Sequence, residues 1–387
     1  MRIGTLSWEF PPRVVGGIAR HCEGLAKALV HQEHEVHLFT LDFPGSPTYE
    51  EMNGIKVYRT STELGHPNFL TWVLLFNHFL GKKMAEVSHS VDLDVMHAHD
   101  WLAAFAGISF KHYLKKPMVL TVHSTEIGRA QGLHSPDSFT IDGIEWWATY
   151  EADKVIVCSQ SMKSEICGHF NLPWDKVDVI PNAINPAQYQ NSVDRGSVRE
   201  HYGIGWGEKM VLCVGRLVPQ KGIEYFIRAI PKIARRFTES KFIIVGEGWS
   251  RDSLEAEARA TGHSEKIRFT GYVSDKEVVN LMTSADVLVV PSVYEPFGIV
   301  ALEGMATGVP VVASKVGGLS EVIEHDRTGV FVYPRSPDSI AWGIGKILSD
   351  SGYAKWLTGN AKDKLEKDYS WEAVAMKTVE VYKELVD

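Results

Sequence analysis

Long hydrophobic runs are missing from this 387-residue chain. Its most apolar segment, FLTWVLLFNHFL (69–80), covers twelve residues, short of the roughly 20 that cross a bilayer as a helix. Its length predicts a buried helix, with peripheral membrane attachment as the weaker alternative. A basic excess is missing too. Net charge is −8, and residues 1–187 carry 15 Lys+Arg against 21 Asp+Glu, which argues against nucleic acid and against an anionic lipid surface. Cysteine is scarce: Cys22, Cys158, Cys167 and Cys213 show no metal-like spacing. They sit in apolar-periodic segments and read as buried free thiols of a reducing cytoplasm, with a Cys158–Cys167 bridge as the alternative. The N-terminus, MRIGTLSWEFPP, has neither the apolar run nor the small-residue cleavage site of a signal peptide. Internal repeats and low-complexity tracts are absent. So is G-x-G-x-x-G with an acid about 20 residues on, which argues against a nicotinamide oxidoreductase.

What is present is an alternation of strand-like and helix-like runs from end to end, the pattern of parallel α/β sheets. RIGTLSW, EVHLFTL, VMHAH, MVLTVH and KVIVCS read as strands of a first half. In GGIARHCEGLAKALV the residues Ile18, Cys22, Leu25 and Leu29 recur at helical spacing. The chain turns irregular at VIPNAINPAQY (179–189), and a second alternation follows: MVLCVGR, KFIIVGEG, IRFTGYV, DVLVVPS, VPVVAS and GVFVYP. Ser274-Asp-Lys-Glu277 reads as a capping box, and Ser336-Pro337 as an N-cap followed by a first-turn proline. Two consecutive doubly wound domains are expected, 1–185 and 186–370, with a last amphipathic helix, 371–387, capped by Ser370.

Three stretches carry chemistry. In EFPPRVVGGIARH, Gly16 and Gly17 lie between a strand and a helix, so backbone amides at the helix start can meet a pyrophosphate. A plain strand–helix turn is the alternative. In VGRLVPQKG, Arg216 and Lys221 flank a loop at the carboxyl end of a strand and suit a diphosphate; two solvated charges are the bland reading. In VPSVYEPFGIVALEGMATGVPVVAS, Glu295 and Glu303 bracket a helix start whose amides, at Phe297, Gly298 and Ile299, are free to donate. Glu295 can accept from sugar hydroxyls. Glu303, flanked by Ala301, Leu302, Gly304, Met305 and Ala306, sits in a mostly apolar helix, a poor setting for a surface ion pair and a good one for the hydroxyls of a ribose.

Glu295 and Glu303 at this spacing, with GRLVPQKG upstream and VGG (316–318) downstream, resemble the retaining GT-B glycosyltransferases. The resemblance is strongest to the large GT4 family and its glycogen and starch synthase relatives, and it covers essentially the whole chain. It implies two Rossmann-like domains facing each other across a donor cleft, with the last helix returning to the first domain. Arg216 and Lys221 would hold the donor diphosphate, Glu295 the donor sugar and Glu303 the ribose, with Gly16 and Gly17 near the phosphates. HAHDW (97–101) is similar to the segment whose aspartate, here Asp100, sits by the reacting sugars. TVHSTEIGR (121–129) carries a histidine, His123, that lies at the donor sugar in relatives. One position departs from the pattern: where the sister synthases carry a lysine two residues before the first glycine, this chain has Val14, next to Arg13.

The resemblance implies transfer of a hexose, glucose first, from ADP- or UDP-glucose to a carbohydrate acceptor such as an α-1,4-glucan. A mannosyl- or other hexosyltransferase using a lipid or small acceptor is the alternative, and a non-catalytic glycan-binding protein is a third. No cofactor and no metal are expected. His97 and His99 share a strand face beside Asp100 without an evident third ligand, and Asp92-Leu-Asp94 precedes a strand, where it reads as a solvated strand start. Trp146 and Trp147 read as core, with a carbohydrate platform open to one of them. Monomer and homo-oligomer are both compatible with the sequence.

Overall fold

The computed structural model describes residues 1–62, 64–189 and 193–386. The chain divides into two compact units, Met1–Ala183 with Trp371–Asp387, and Ile184–Ser370.

The first unit is built on eight strands: β1 (Arg2–Leu6), β2 (Glu35–Leu41), β3 (Tyr49–Met52), β4 (Ile55–Thr60), β5 (Val95–His99), β6 (Met118–Val122), β7 (Lys154–Val157) and β8 (Val177–Val179). Their order is β3-β4-β2-β1-β5-β6-β7-β8, parallel except for the antiparallel β3–β4 pair. β5 and β6 are buried along their whole length, as strands covered by helices on both faces must be. The hairpin at the β3 edge was not expected, although its signal is plain. Asn53 and Gly54 both take positive φ, the backbone a two-residue hairpin turn requires, and Ile55–Thr60 alternates buried and half-buried. The short β8 also went unforeseen.

Helix Gly17–His31 covers this sheet with Cys22, Leu25, Ala26 and Leu29. The last helix, Trp371–Val386, adds Val374, Ala375, Val379 and Tyr382 to the same core. The apolar segment at 69–80 opens a longer helix, Phe69–Ser88, which is not buried all round. Val73, Phe76, Leu80 and Met84 face the core, while Phe69 and Leu74 are 53% and 52% exposed. Trp147 packs on Phe105, but Trp146 stands outside the core beside Tyr150. All four cysteines are free thiols; Cys22, Cys158 and Cys213 are buried and Cys167 is half-buried.

The second unit carries β9 (Lys209–Val214), β10 (Ser240–Val245), β11 (Ile267–Gly271), β12 (Val287–Val290), β13 (Val311–Ser314) and β14 (Val330–Val332). Their order is β11-β10-β9-β12-β13-β14, all parallel, the doubly wound arrangement of a dinucleotide-type domain. Ser336 caps helix Pro337–Ser349 through the Ser339 amide, with Pro337 in the first turn. Ser274 accepts from the Glu277 amide at the start of Asp275–Ser284. Among the described residues no helix is long and apolar enough to cross a membrane.

Candidate functional site

In a doubly wound sheet, ligands gather at the carboxyl ends of the two strands where the winding reverses, because the loops there diverge and leave a crevice. In the second unit those strands are β9 and β12. Arg216 and Lys221 follow β9; Glu295 follows β12. The two loops are tied by backbone bonds, with Val293 and Tyr294 donating to the Gln220 carbonyl. Gly222 permits the approach: at φ 61°, a Cβ there would stand 2.2 Å from the Pro291 oxygen. The result is a direct contact between the two predicted groups. Lys221 Nζ donates to Glu295 Oε2 at 2.6 Å, and the buried Ser292 hydroxyl donates to the same oxygen at 3.0 Å. Arg216 is exposed at the loop's start.

The VGG segment is the third wall. Gly318 donates to the Glu295 carbonyl at 3.0 Å. Gly317, at φ 46°, leaves room for that carbonyl, which a Cβ would meet at 2.1 Å. Gly298 is the N-cap of helix Ile299–Thr307, and the Phe297 ring is buried near Tyr369. Amides in the first turn of this helix have no carbonyl within it to bond. Glu303, in the same helix, is 4% exposed, and Tyr189 donates to its Oε1 at 3.1 Å. Tyr189 belongs to a short turn, Pro186–Tyr189, and carried no signal in the sequence.

In the first unit the reversal lies between β1 and β5. The loop after β1 has its own anion. Glu9 Oε2 accepts from the Val15 amide at 2.6 Å and from the Gly16 amide at 3.0 Å. Burial raises the Glu9 carboxyl, and the amides of Val15, Gly16 and Ala19 oppose that rise. Gly16 caps helix Gly17–His31, but its amide is engaged by a protein carboxylate. Arg13 does not replace the lysine missing at Val14 either, since Nε and Nη2 both donate to the Asp42 carbonyl.

Asp100 follows β5 with φ 58° and ψ 171°, a backbone region close to glycine's own and costing about 1–3 kcal/mol. Its Oδ1 accepts from the His123 amide at 2.6 Å. Burial lifts its carboxyl to about 6 against the pull of Arg129 and the His123 and Ser124 amides. Asp100 thus organises the loop that carries His123. Glu145 supports the same loop from helix Pro136–Glu151, accepting from the Glu126 amide at 2.8 Å and from Arg129 at 2.8 Å. Burial lifts Glu145 to about 7, with Arg129 opposing. Neither Arg129 nor Glu145 was singled out in the sequence; only the fold brings them together.

His123 is half-buried, and its Nε2 lies 3.1 Å from His99 Nδ1. His21 stands edge-on to the His123 ring, at 4.7 Å between centroids, and its Nδ1 meets Asn182 Oδ1 at 2.7 Å. His97 is engaged at both nitrogens, by Tyr382 and by Thr121. The histidine neighbours of His99 are therefore His21 and His123 as well as His97. Asp94 and Asp92 precede β5: Asp94 accepts from the Arg2 amide, and exposed Asp92 pairs with Arg2 and Lys116.

Two doubly wound units, each with its ligand-type residues at the reversal of its sheet, define a GT-B glycosyltransferase. Comparison with known proteins agrees. Residues 15–188 match the model of Glycosyltransferase Family 4, and residues 194–364 that of Glycosyl transferases group 1. An uncharacterized glycosyltransferase of Methanocaldococcus jannaschii is 48% identical over 387 residues, covering 99% of this chain and 98% of its own. A glycogen synthase of Mycobacterium tuberculosis is 34% identical, over 99% of this chain and 94% of its own. Among solved structures, a sucrose-phosphate synthase from Thermosynechococcus elongatus superposes with a TM-score of 0.86 at 25% identity, covering 99% and 98% of the two chains. Anabaena HepE in complex with UDP-glucose has the same fold, with a TM-score of 0.80 at 22% identity over the whole of both chains. The chain belongs to glycosyltransferase family 4, and it is a transferase resembling glycogen synthase.

Proposed function

We propose that this enzyme is a retaining hexosyltransferase that moves glucose from ADP- or UDP-glucose to an α-1,4-glucan acceptor, without a divalent metal. The observation that carries the reading is the 2.6 Å contact between Lys221 and Glu295. A sugar diphosphate carries its leaving charge one bond from the sugar, so a cation beside a hydroxyl acceptor matches both ends of the bond to be broken.

As C1–O breaks, negative charge grows on the leaving phosphate. Lys221, Arg216 and the amides at Phe297, Gly298 and Ile299 are donors for it, and a donor held fixed is worth about 3–4 kcal/mol in favourable cases. Glu295 accepts from the sugar hydroxyls and Glu303 from the ribose, Tyr189 yielding its place. Gly17 remains the phosphate contact of the first unit, the Gly16 amide being held by Glu9. His123 meets the transferred sugar, and Asp100 acts through the loop it organises. The acceptor oxygen bonds to C1 on the face the diphosphate leaves, and its proton passes to that diphosphate, so the α configuration is kept.

The 34% identity to a glycogen synthase supports the glucan acceptor. A second reading, hexosyl transfer to a lipid, is favoured by the exposure of Phe69 and Leu74 on the apolar helix and by a 28% identical mannosyltransferase of Mycolicibacterium smegmatis named for a phosphatidylinositol monomannoside substrate. Incubation with ADP-glucose, UDP-glucose and GDP-mannose, with maltooligosaccharides or lipid extracts as acceptors, separates the two. The expected product is a longer α-linked glucan from one glucose donor, in EDTA as well as without it. Transfer from GDP-mannose to lipid alone establishes the second reading, and loss of transfer in EDTA removes the metal-free mechanism.

A further inference from the structure

Three elements of the first unit each bring one histidine to a single place. His21 lies one turn into helix Gly17–His31, His99 ends β5 and His123 follows β6. One ring nitrogen from each falls within 4.8 Å of the others. His99 Nδ1 and His123 Nε2 are already 3.1 Å apart. Two imidazoles on one tetrahedral zinc, at bonds of about 2.0–2.1 Å, stand about 3.4 Å apart, so this pair needs little adjustment to share an ion.

The hydrogen bonding around the cluster favours a ligand. The Asn182 Oδ1 atom only accepts, so its 2.7 Å contact fixes the proton of His21 on Nδ1 and leaves a lone pair on Nε2. That Nε2, and Nε2 of His99, are buried polar atoms with no hydrogen-bond partner among the described residues, in rings 4% and 0% exposed. Nitrogens left this way are costly; that of His21 calls for an occupant in the cluster, while that of His99 lies across its ring from the Nδ1 that meets His123. A bridging water satisfies donors and acceptors alike, but three neutral imidazoles without an engaged carboxylate are the donor set of a borderline-soft cation. The carboxylate of Asp100, the nearest acid along the chain to His99, is committed to backbone amides. Magnesium and calcium, which take oxygen ligands, do not fit.

We propose that His21, His99 and His123 form a site for a divalent transition metal, zinc foremost, and that zinc bound there inhibits sugar transfer by taking up the His123 imidazole. Asn182 is a positioning residue of this site, holding the His21 ring as outer partners hold metal-bound histidines elsewhere. Solvent reaches the cluster at half-buried His123, which leaves the fourth coordination position to water. The inhibition half rests on the role given to His123 above; the binding half does not.

The test titrates EDTA-stripped full-length chain with zinc chloride by calorimetry, without substrates, and with cobalt(II) by visible absorption. One zinc per chain and a tetrahedral cobalt band are expected. His21→Gln is expected to weaken zinc by more than about 100-fold. Asn182→Ala, which keeps all three ligands, is expected to weaken it by about 10–100-fold. Circular dichroism checks each variant, and if His21→Gln does not fold, Asn182→Ala decides. No zinc uptake, or uptake unchanged in the folded variants, overturns the site. In the transfer assay zinc is expected to stop turnover and EDTA to restore it. Zinc bound at the cluster with turnover intact overturns the inhibition, whereas a chain that binds zinc but transfers no sugar from any donor leaves the site standing and removes the functional reading instead.

Discussion

At the scale of single residues, Lys221 and Glu303 separate by the moment at which each is used. On the proposed reading, Lys221 meets charge that appears only as the bond breaks. Lys221→Ala is expected to lower kcat by about 10²–10³, the loss of one fixed donor, measured by release of nucleoside diphosphate at saturating donor. On the same reading, Glu303 meets a ribose that is the same before and after transfer. Glu303→Ala is expected to raise the donor KM and leave kcat nearly unchanged, as uniform binding does; an unchanged KM removes the ribose assignment. The placement of both, after β9 and in the helix after β12, was legible in the sequence because strand, glycine and charge stand close together there. Their partners were not. Tyr189 lies 114 positions from Glu303 and Asn182 lies 161 from His21, separations over which no periodicity or motif carries information. Glu9 was near enough to Gly16 to be noticed, yet an acid before a Pro-Pro turn says nothing of where its carboxylate folds back.

At the scale of elements, the loops after β9, β12 and β13 behave as one body, because glycine lets their backbones touch. Gly317→Ala places a methyl against the Glu295 carbonyl in a left-handed backbone. The conformation alone costs about 1–2 kcal/mol, and relieving the contact moves Glu295 away from Lys221. A fall in Tm together with a loss of kcat is expected, read by calorimetry and by the transfer assay; unchanged kcat shows that the loops are not coupled. Strand and helix order in the second unit followed from the alternation itself, since each strand is an apolar run between turn residues. The β3–β4 hairpin was missed because its first strand, Tyr-Glu-Glu-Met, is polar and half-exposed at an edge. Helix Phe69–Ser88 was read as more buried than it is, since composition reports apolar content and not which flank has a neighbour.

At the scale of the whole molecule, a group of neutral histidines ties stability to pH. His21, His97, His99 and His123 all lie well below the ordinary imidazole value, chiefly through burial. Below about pH 6.5 the unfolded chain takes up protons that the folded chain refuses, so their contribution is full above that value and is lost as pH falls. Each histidine adds about 1.4 kcal/mol per pH unit to the slope. Asp100 and Glu145, raised by burial to about 6 and about 7, act in the opposite sense, because the folded state keeps their protons. Urea unfolding at a series of acid pH values is expected to show a shallower slope in His97→Gln, by about 1.4 kcal/mol per unit, and an unaltered slope means His97 is not held neutral.

The path of the chain has a consequence for its making. It leaves the first unit after Ala183 and returns at Trp371, so Val374, Val379 and Tyr382 reach that core last. During synthesis, at about 5–20 residues per second, the ribosome takes roughly 10–40 s to cross the intervening stretch. The second unit can close in that interval while its predecessor waits with an apolar seam open and His97 lacking its tyrosine. Chaperone demand on the nascent polypeptide therefore falls on the half that emerges first.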